Sequence, residues 1–449
     1  MGDSMEVRYQ RAEQLLSWNL RPYLINTTLT PNWLDKNRFW FRRELTGGCE
    51  FVLVDTTNEQ EKQQQPLFDH ARLADELSAL LDKNISRHRL PVQSLQWDDN
   101  GGMQFIVDEK TIYCDCHDYH CQLLDPRSLC LDAEIGIDSP DGCWRVTLRE
   151  DNLFLQDLSC VVGERALTRD GEPFNSYCVY HNFPDFLTDL PERPAISWSQ
   201  NSRYVVIQQV DQRQVGEMTL VQSVPLDGSH RPVSHHYRMA TPGDPHLAMA
   251  RLIVIDITTG ASLLIDRPAV PASSVGPLDS GLVWWGEDHR LYFIETTRDK
   301  RSLAFICFDP VTGGSRVLVE EHNDTFLSPT PFFYTCPPLA KVLPDSNEFI
   351  WYSQCNGWGH LYLYDLMTGE RKNPITTGEY AVTWLHHVDT EGRCLYFAAG
   401  GKEAECNPYD QKLYRINFDG SALCLLTPEA GYHDVPSPIA ALPVEPDPM

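Results

Sequence analysis

Residues 252–260 read LIVIDITTG, a run of branched aliphatic residues that ends in Asp-x-x-Thr-Gly. The apolar part has the length and β-branched content of a strand buried on both faces and is too short for a helix. Asp can accept from N–H groups two and three residues on, and Gly takes positive φ at no steric cost, so the five-residue ending reads as a tight turn. The same ending closes two later strands, in DPVTG (309–313) and DLMTG (365–369).

A second signature alternates with the first. SPDGCW (139–144), WSQNSRY (198–204), WWGEDHRLY (284–292) and LPDSNEFIWY (343–352) each set a polar turn in front of an apolar strand. Between these turns nearly every segment is a short strand, from RFWFRREL (38–45) and CEFVLVD (49–55) to CLYFAAGG (394–401). Two helices interrupt the pattern, an opening one over Val7–Leu16 and an amphipathic one over Phe68–Leu81. Strand units recurring at roughly 40–60 residues, without alternating helices, describe the blades of an all-β propeller, about seven or eight of them.

Composition narrows the function. The 449 residues are 42% hydrophobic and 22% charged, enough for a large core. Lys plus Arg is 37 against 63 for Asp plus Glu, a net charge of −26. Such a surface repels phosphate backbones and anionic lipid, so neither nucleic acid nor membrane is an expected partner. The start, MGDSMEVRYQRAEQLLSW, carries charges where a signal peptide has an apolar run. The expected location is therefore cytoplasmic, with the 14 cysteines reduced.

Several segments resemble the amino-terminal propeller of the dipeptidyl peptidase IV family of prolyl-oligopeptidase-like serine peptidases: LLSWNLRP (15–22), PNWLDKNRFWFRRE (31–44), FDHARLADEL (68–77), RALTRDGE (165–172), ISWSQNSRYVVIQQVDQRQV (196–215), RPVSHHYRMATPGDP (231–245), NGWGHLYLYDLMTGE (356–370) and CLLTPEAGYHDV (424–435). The resemblance implies eight blades. The organisation expected for this sequence is a single propeller domain over 1–449, with a helical segment at 1–22, a Pro-rich tail at 437–449 and no hydrolase domain. Peptidases of that family carry a Ser-Asp-His triad on an α/β-hydrolase domain after the propeller, the Ser in Gly-x-Ser-x-Gly. That motif occurs nowhere in this sequence; Gly260–Leu264 comes nearest and lacks the second Gly. The family's glutamate pair for the substrate ammonium is also missing before ISWSQNSR, where only Glu192 stands; the adjacent Glu320 and Glu321 read instead as a strand edge.

The expected function is thus a stand-alone propeller, a pseudoenzyme that binds a peptide, small molecule or protein partner in its central channel. Two other readings stay open. One is a cofactor-independent cyclase, lyase or isomerase of specialised metabolism, using channel His, Asp, Glu or Tyr as acid and base. The other is a truncated or split peptidase subunit. No cofactor is expected. Candidate channel-lining residues are Arg149, Asn152, Arg238, Asp244, Trp358, His360, Glu320 and Glu321. His360 reads as a turn-fixing residue, and the Trp residues at strand starts read as packing between blades. YCDCHDYHC (113–121) offers Cys114, Cys116, His117, His120 and Cys121 as a weak metal candidate, with turn and core roles favoured and no metal expected. An incomplete last blade would leave an edge for a homodimer or partner, or for residues 23–30 to fill.

Overall fold

A computed structural model of the chain describes residues 4–16, 19, 29, 31–45, 47–57, 63–97, 102–108, 110–124, 135–158, 163–182, 192–225, 230–272, 275–331 and 338–435. Of residues 23–30, where a substitute strand is expected, all but Leu29 lie outside them, as does the Pro-rich tail expected at 437–449. The described residues fall into two compact units, one within 4–124 and one within 135–435.

The first unit opens with helix α1 (Met5–Gln14), capped by the Ser4 hydroxyl and burying no residue. Its first sheet is β1–β4 (Asn32–Trp33, Arg38–Leu45, Gly48–Asp55, Gln63–Pro66) and its second β5–β8 (Gln93–Trp97, Gly102–Val107, Lys110–Asp115, Cys121–Leu123), each an antiparallel meander in chain order. Between them runs α2 (His70–Leu81). Asp69 caps α2 by accepting from the N–H groups of Ala71 and Arg72 at 3.0 and 3.1 Å, the side-chain acceptor a helix start needs. Leu73, Ala74 and Leu77, at helical spacing, bury against Phe51, Phe105 and Ile112 of the two sheets.

The second unit holds five sheets. The third is β9–β12 (Gly136–Asp138, Trp144–Arg149, Asn152–Asp157, Glu164–Ala166). The fourth has six strands: β13 (Asn175–Ser176), β14 (Ile196–Trp198), β15 (Tyr204–Asp211), β18 (Met249–Asp256), β19 (Ser262–Leu264) and β20 (Val270–Pro271). From it projects a hairpin, β16 (Glu217–Gln222) with β17 (Val233–Arg238), whose strands pair only with each other. The last three are β21–β24 (Val283–Trp285, Leu291–Thr296, Ser302–Asp309, Gly314–His322), β25–β28 (Lys341–Leu343, Glu348–Ser353, His360–Asp365, Arg371–Pro374) and β29–β32 (Ala381–Asp389, Cys394–Gly400, Lys412–Asn417, Cys424–Leu425).

Apolar layers lie between successive sheets of this unit: third with fourth, fourth with fifth, fifth with sixth, sixth with seventh. That face-to-face stacking makes the sheets propeller blades. It also explains the continuous apolar runs, because a strand such as β26 (EFIWYS) is buried on both faces. Two of the rings expected to pack between blades do so, Trp351 stacking on Phe305 at 5.0 Å and Trp284 on Phe305 at 5.6 Å, whereas Trp358 is exposed. First strands are stitched by indole groups, Trp198 Nε1 donating to the Ile137 carbonyl at 3.2 Å and Trp285 Nε1 to that of Ser197 at 3.0 Å.

The two turn signatures obey one geometry each. In Asp-x-x-Thr-Gly the carboxylate accepts from the second and third following N–H groups, at 2.9 and 3.1 Å for Asp256 and 2.9 and 2.8 Å for Asp365. Gly260, Gly313 and Gly369 then sit at φ 74°, 72° and 73°. In the other turn the left-handed residue need not be glycine: Gly142, Ser202, His289 and Asn347 have φ 69°, 58°, 61° and 55°.

The described residues form seven blades, the lower of the two counts that the strand spacing allows and one fewer than the resemblance implies. Periodicity assigns a blade to each 40–60 residues or so, but Asn175–Pro271 makes a single one, its surplus going into extra edge strands and the projecting hairpin.

Candidate functional site

A cleft of about 190 Å³ lies in the second unit beside that insertion. Val215, Leu247, Ala248 and Ala272 form an apolar floor, with Met239 at the foot of β17. The polar lining is Tyr180, Asn182, Arg298 and Lys300. No lining residue belongs to β9, β21, β25 or β29, the first strands of their blades, or to β14, which the two indoles stitch to β9 and β21, so the cleft is lateral to any channel those strands border.

Lys300 and Arg298 come from the turn that joins β22 to β23. Thr297 and Ser302 close it by a hydrogen bond of 3.0 Å, and Lys300 takes φ 56°. Asp299 spends its carboxylate within the turn, accepting from Thr297 Oγ1 at 2.7 Å and the Arg301 N–H at 3.1 Å. Lys300 Nζ donates to Thr296 Oγ1 at 2.9 Å and has no ion pair among the described residues. Burial lowers its pKa, as expected for an ammonium short of water and counter-charge. Arg298 donates to the carbonyls of Asp244 and, at 3.3 Å, Thr241.

The opposite wall follows β13. Burial pushes the Tyr180 hydroxyl up to about 12. The Asn182 side-chain oxygen is out of reach of solvent and accepts no hydrogen bond from the described residues, a deficit that costs about 1–3 kcal/mol. The cleft thus offers two cations, one an ammonium without an anion, and one acceptor without a donor, above an apolar floor.

Two sequence candidates flank this cleft. Asp244 accepts from Thr241 N and Oγ1 at 2.7 and 2.9 Å, bonds that with the nearby Arg298 charge hold its pKa down. Arg238 lies over the Phe174 ring at 4.4 Å and donates to the Val215 carbonyl at 2.6 Å. The other candidates are elsewhere. Arg149 covers Phe154 at 4.2 Å and pairs with Glu164. Asn152 braces the Glu150–Asp151 turn, both residues left-handed at φ 48° and 63°, through bonds of 3.0 and 2.9 Å to Gly171. Glu320 is exposed, whereas Glu321 is half-buried, accepts from Trp351 Nε1 at 2.9 Å and has its pKa raised by burial.

Trp358 is exposed, in the turn before β27. His360 is fully buried: Nε2 donates to the Gly378 carbonyl at 3.0 Å and Nδ1 accepts from Thr376 Oγ1 at 2.9 Å, a neutral imidazole that fixes its turn. Cys114 faces Cys121 across β7 and β8, while His117 and His120 are exposed in the turn between. No group of three or more His, Cys, Asp or Glu suited to a metal occurs among the described residues. In the first unit, the open groove beside His70 is less promising, since His70 Nε2 already accepts the Phe51 N–H at 2.8 Å.

Sequence reasoning missed Tyr180, Asn182, Arg298 and Lys300. The one local signal was TTRDKR (296–301), two cations in a tight turn between apolar strands.

A family model described as the dipeptidyl peptidase IV (DPP IV) N-terminal region matches residues 107–439. The chain belongs to this dipeptidyl peptidase IV N-terminal family. Among relatives, a protein named dipeptidyl peptidase 4 from Aspergillus flavus is 20% identical over 342 residues, 74% of this chain and 42% of its own length. A dipeptidyl-aminopeptidase B from Aspergillus niger is 22% identical over 336 residues, 70% of this chain and 36% of its own. The chain therefore spans well under half of either relative. Among solved structures, Porphyromonas gingivalis dipeptidyl peptidase 4 superposes with a TM-score of 0.58 at 14% identity, covering 94% of this chain and 56% of that one. A dipeptidyl aminopeptidase IV from Bacteroides ovatus gives 0.57 at 16%, covering 89% and 54%. At such identities the likeness is one of fold. In this DPP IV N-terminal chain no described helix is long and apolar enough to cross a membrane.

Proposed function

We propose that these 449 residues act by recognition and not by hydrolysis, and that the ligand is a small amphipathic carboxylate bearing an amide N–H, held in the lateral cleft instead of a central channel. The observation that carries the reading is Lys300, a half-buried ammonium with a hydroxyl neighbour and no ion pair among the described residues. A carboxylate would supply its missing charge and take a charge-assisted bond, with Arg298 beside it. An N–H two bonds from that carboxylate suits the unpaired Asn182 oxygen. A free amino acid suits it less, because its ammonium would approach two cations. An aliphatic side chain matches the floor of Val215, Leu247 and Ala248. N-acylated aliphatic amino acids and peptide C-termini combine these groups.

The cyclase, lyase or isomerase reading gains no support from the histidine–carboxylate pairs His236–Glu217 and His322–Asp324, which are exposed. Titration calorimetry with N-acetyl-leucine, N-acetyl-leucinamide and leucine tests the proposal. N-acetyl-leucine should bind most tightly, and Lys300→Met should weaken it by about 10- to 100-fold, the worth of one charged hydrogen bond. Equal binding of the amide and the acid, or a Lys300→Met protein that binds like the parent, would refute it.

A further inference from the structure

The hairpin of β7 and β8 sets two thiols face to face. Asp115 donates its N–H to the His120 carbonyl at 3.2 Å and Leu124 donates to that of Thr111 at 2.9 Å. Antiparallel pairs alternate, so Asp115–His120, Tyr113–Gln122 and Thr111–Leu124 are the hydrogen-bonded pairs, and Cys114–Cys121 is a non-hydrogen-bonded pair. Cα atoms in such pairs stand about 4.5 Å apart, inside the span a disulfide bridges. Both cysteines are buried in the core of the first unit, where the Cys114 thiol donates to the Asp115 carbonyl at 3.8 Å.

We propose that Cys114 and Cys121 are a covalent modification site, a reduced pair that closes to a cross-strand disulfide on exchange with a low-molecular-weight disulfide. In the balanced step the two thiols give up two protons and two electrons, one S–S bond forms here and one breaks in the reagent, and two reagent thiols leave. The neighbouring Cys121 thiol and burial raise the Cys114 pKa, so Cys114 stays protonated and reacts slowly. Once one sulfur is engaged, the other is the nearest attacker, which makes the internal bond the product.

The bond would fasten a clamp on α2. The turn it closes carries Tyr119, whose hydroxyl accepts the Asp69 N–H at 2.6 Å at the start of that helix. Arg72 of α2 lies over the Tyr119 ring at 4.7 Å and donates to the Asp118 carbonyl at 3.1 Å. Fixing the turn therefore holds the cap of α2.

The test incubates the full chain with oxidised glutathione, alkylates free thiols and maps peptides by mass spectrometry. The expected product is the 111–127 peptide two hydrogens lighter, with its single alkylation at Cys116 and a melting temperature above that of the reduced protein. Glutathione held on Cys114 or Cys121, a bond to Cys116, or two free thiols at these positions while exposed Cys143 and Cys355 are oxidised would each overturn it. A Cys116→Ser protein, which leaves the pair intact, should still lose two hydrogens.

Discussion

Lys300 and Glu348 are buried charges treated in opposite ways. Lys300 has no counter-ion among the described residues, and burial lowers its pKa. The unfolded chain then holds that proton to higher pH than the folded one, so stability should rise with pH through the window just below the ordinary lysine range. Anion binding should weaken in the same window as the ammonium is lost. Lys300→Met removes both effects, and in urea unfolding at neutral pH the variant should be as stable as the parent or more so. A clear loss of stability would show that Lys300 is a structural support and not a binding group. Glu348 is 4% exposed by its side chain and pairs with Arg393 at 2.9 Å and Lys372 at 2.5 Å. Burial works to raise its pKa, yet those two cations and the Ser346 hydroxyl hold it down at about 2. A lowered carboxylate gives stability that is whole above the ordinary Glu range and is lost as pH falls, here between about pH 5 and pH 2. The amount is at most about 3 kcal/mol, less what solvent screens at two half-exposed cations. Glu348→Gln should flatten this acid limb; an unchanged limb would mean the pairs contribute nothing.

At the scale of elements, what was legible was what local rules decide. Asp-x-x-Thr-Gly specifies its turn through a carboxylate and a positive φ, both within five residues, and Asp256 and Asp365 behave alike. The helix expected over 68–81 was legible through its apolar spacing; its start at His70, two residues in, is set by the Asp69 cap. The blade count was not, because nothing in VSHHYR or EMTLVQ says that β16 and β17 pair with each other and join no sheet. That hairpin also shares no strand pairing with the sheet it projects from. Gly216 and Met239 meet at its foot, with the Met239 N–H on the Gly216 carbonyl at 3.0 Å. Replacing residues 217–238 by two glycines should leave the far-ultraviolet circular dichroism minimum in place and lower the melting temperature by only a few degrees. A collapse of the cooperative transition would instead show that the hairpin carries core packing.

Across the whole molecule, the cleft escaped sequence reading because its parts are remote in the chain. Asn182 follows β13, Met239 ends the projecting hairpin, and Lys300 sits in a turn of the next blade; only the stacking of the fourth and fifth blades brings them together. Arg238 and Asp244 were singled out one turn away, on the same insertion, while the polar residues of β10 and β11 turned out to serve their own sheet. A net charge of −26 repels anions at long range, so the two cations of the cleft have to act on a carboxylate at short range. The most direct test is a crystal structure of the full chain soaked with N-acetyl-leucine. The expected result is ligand density in the cleft, its carboxylate within hydrogen-bond distance of Lys300 Nζ and its amide N–H directed at Asn182 Oδ1. Density among the first strands of the blades, with the cleft empty, would contradict it.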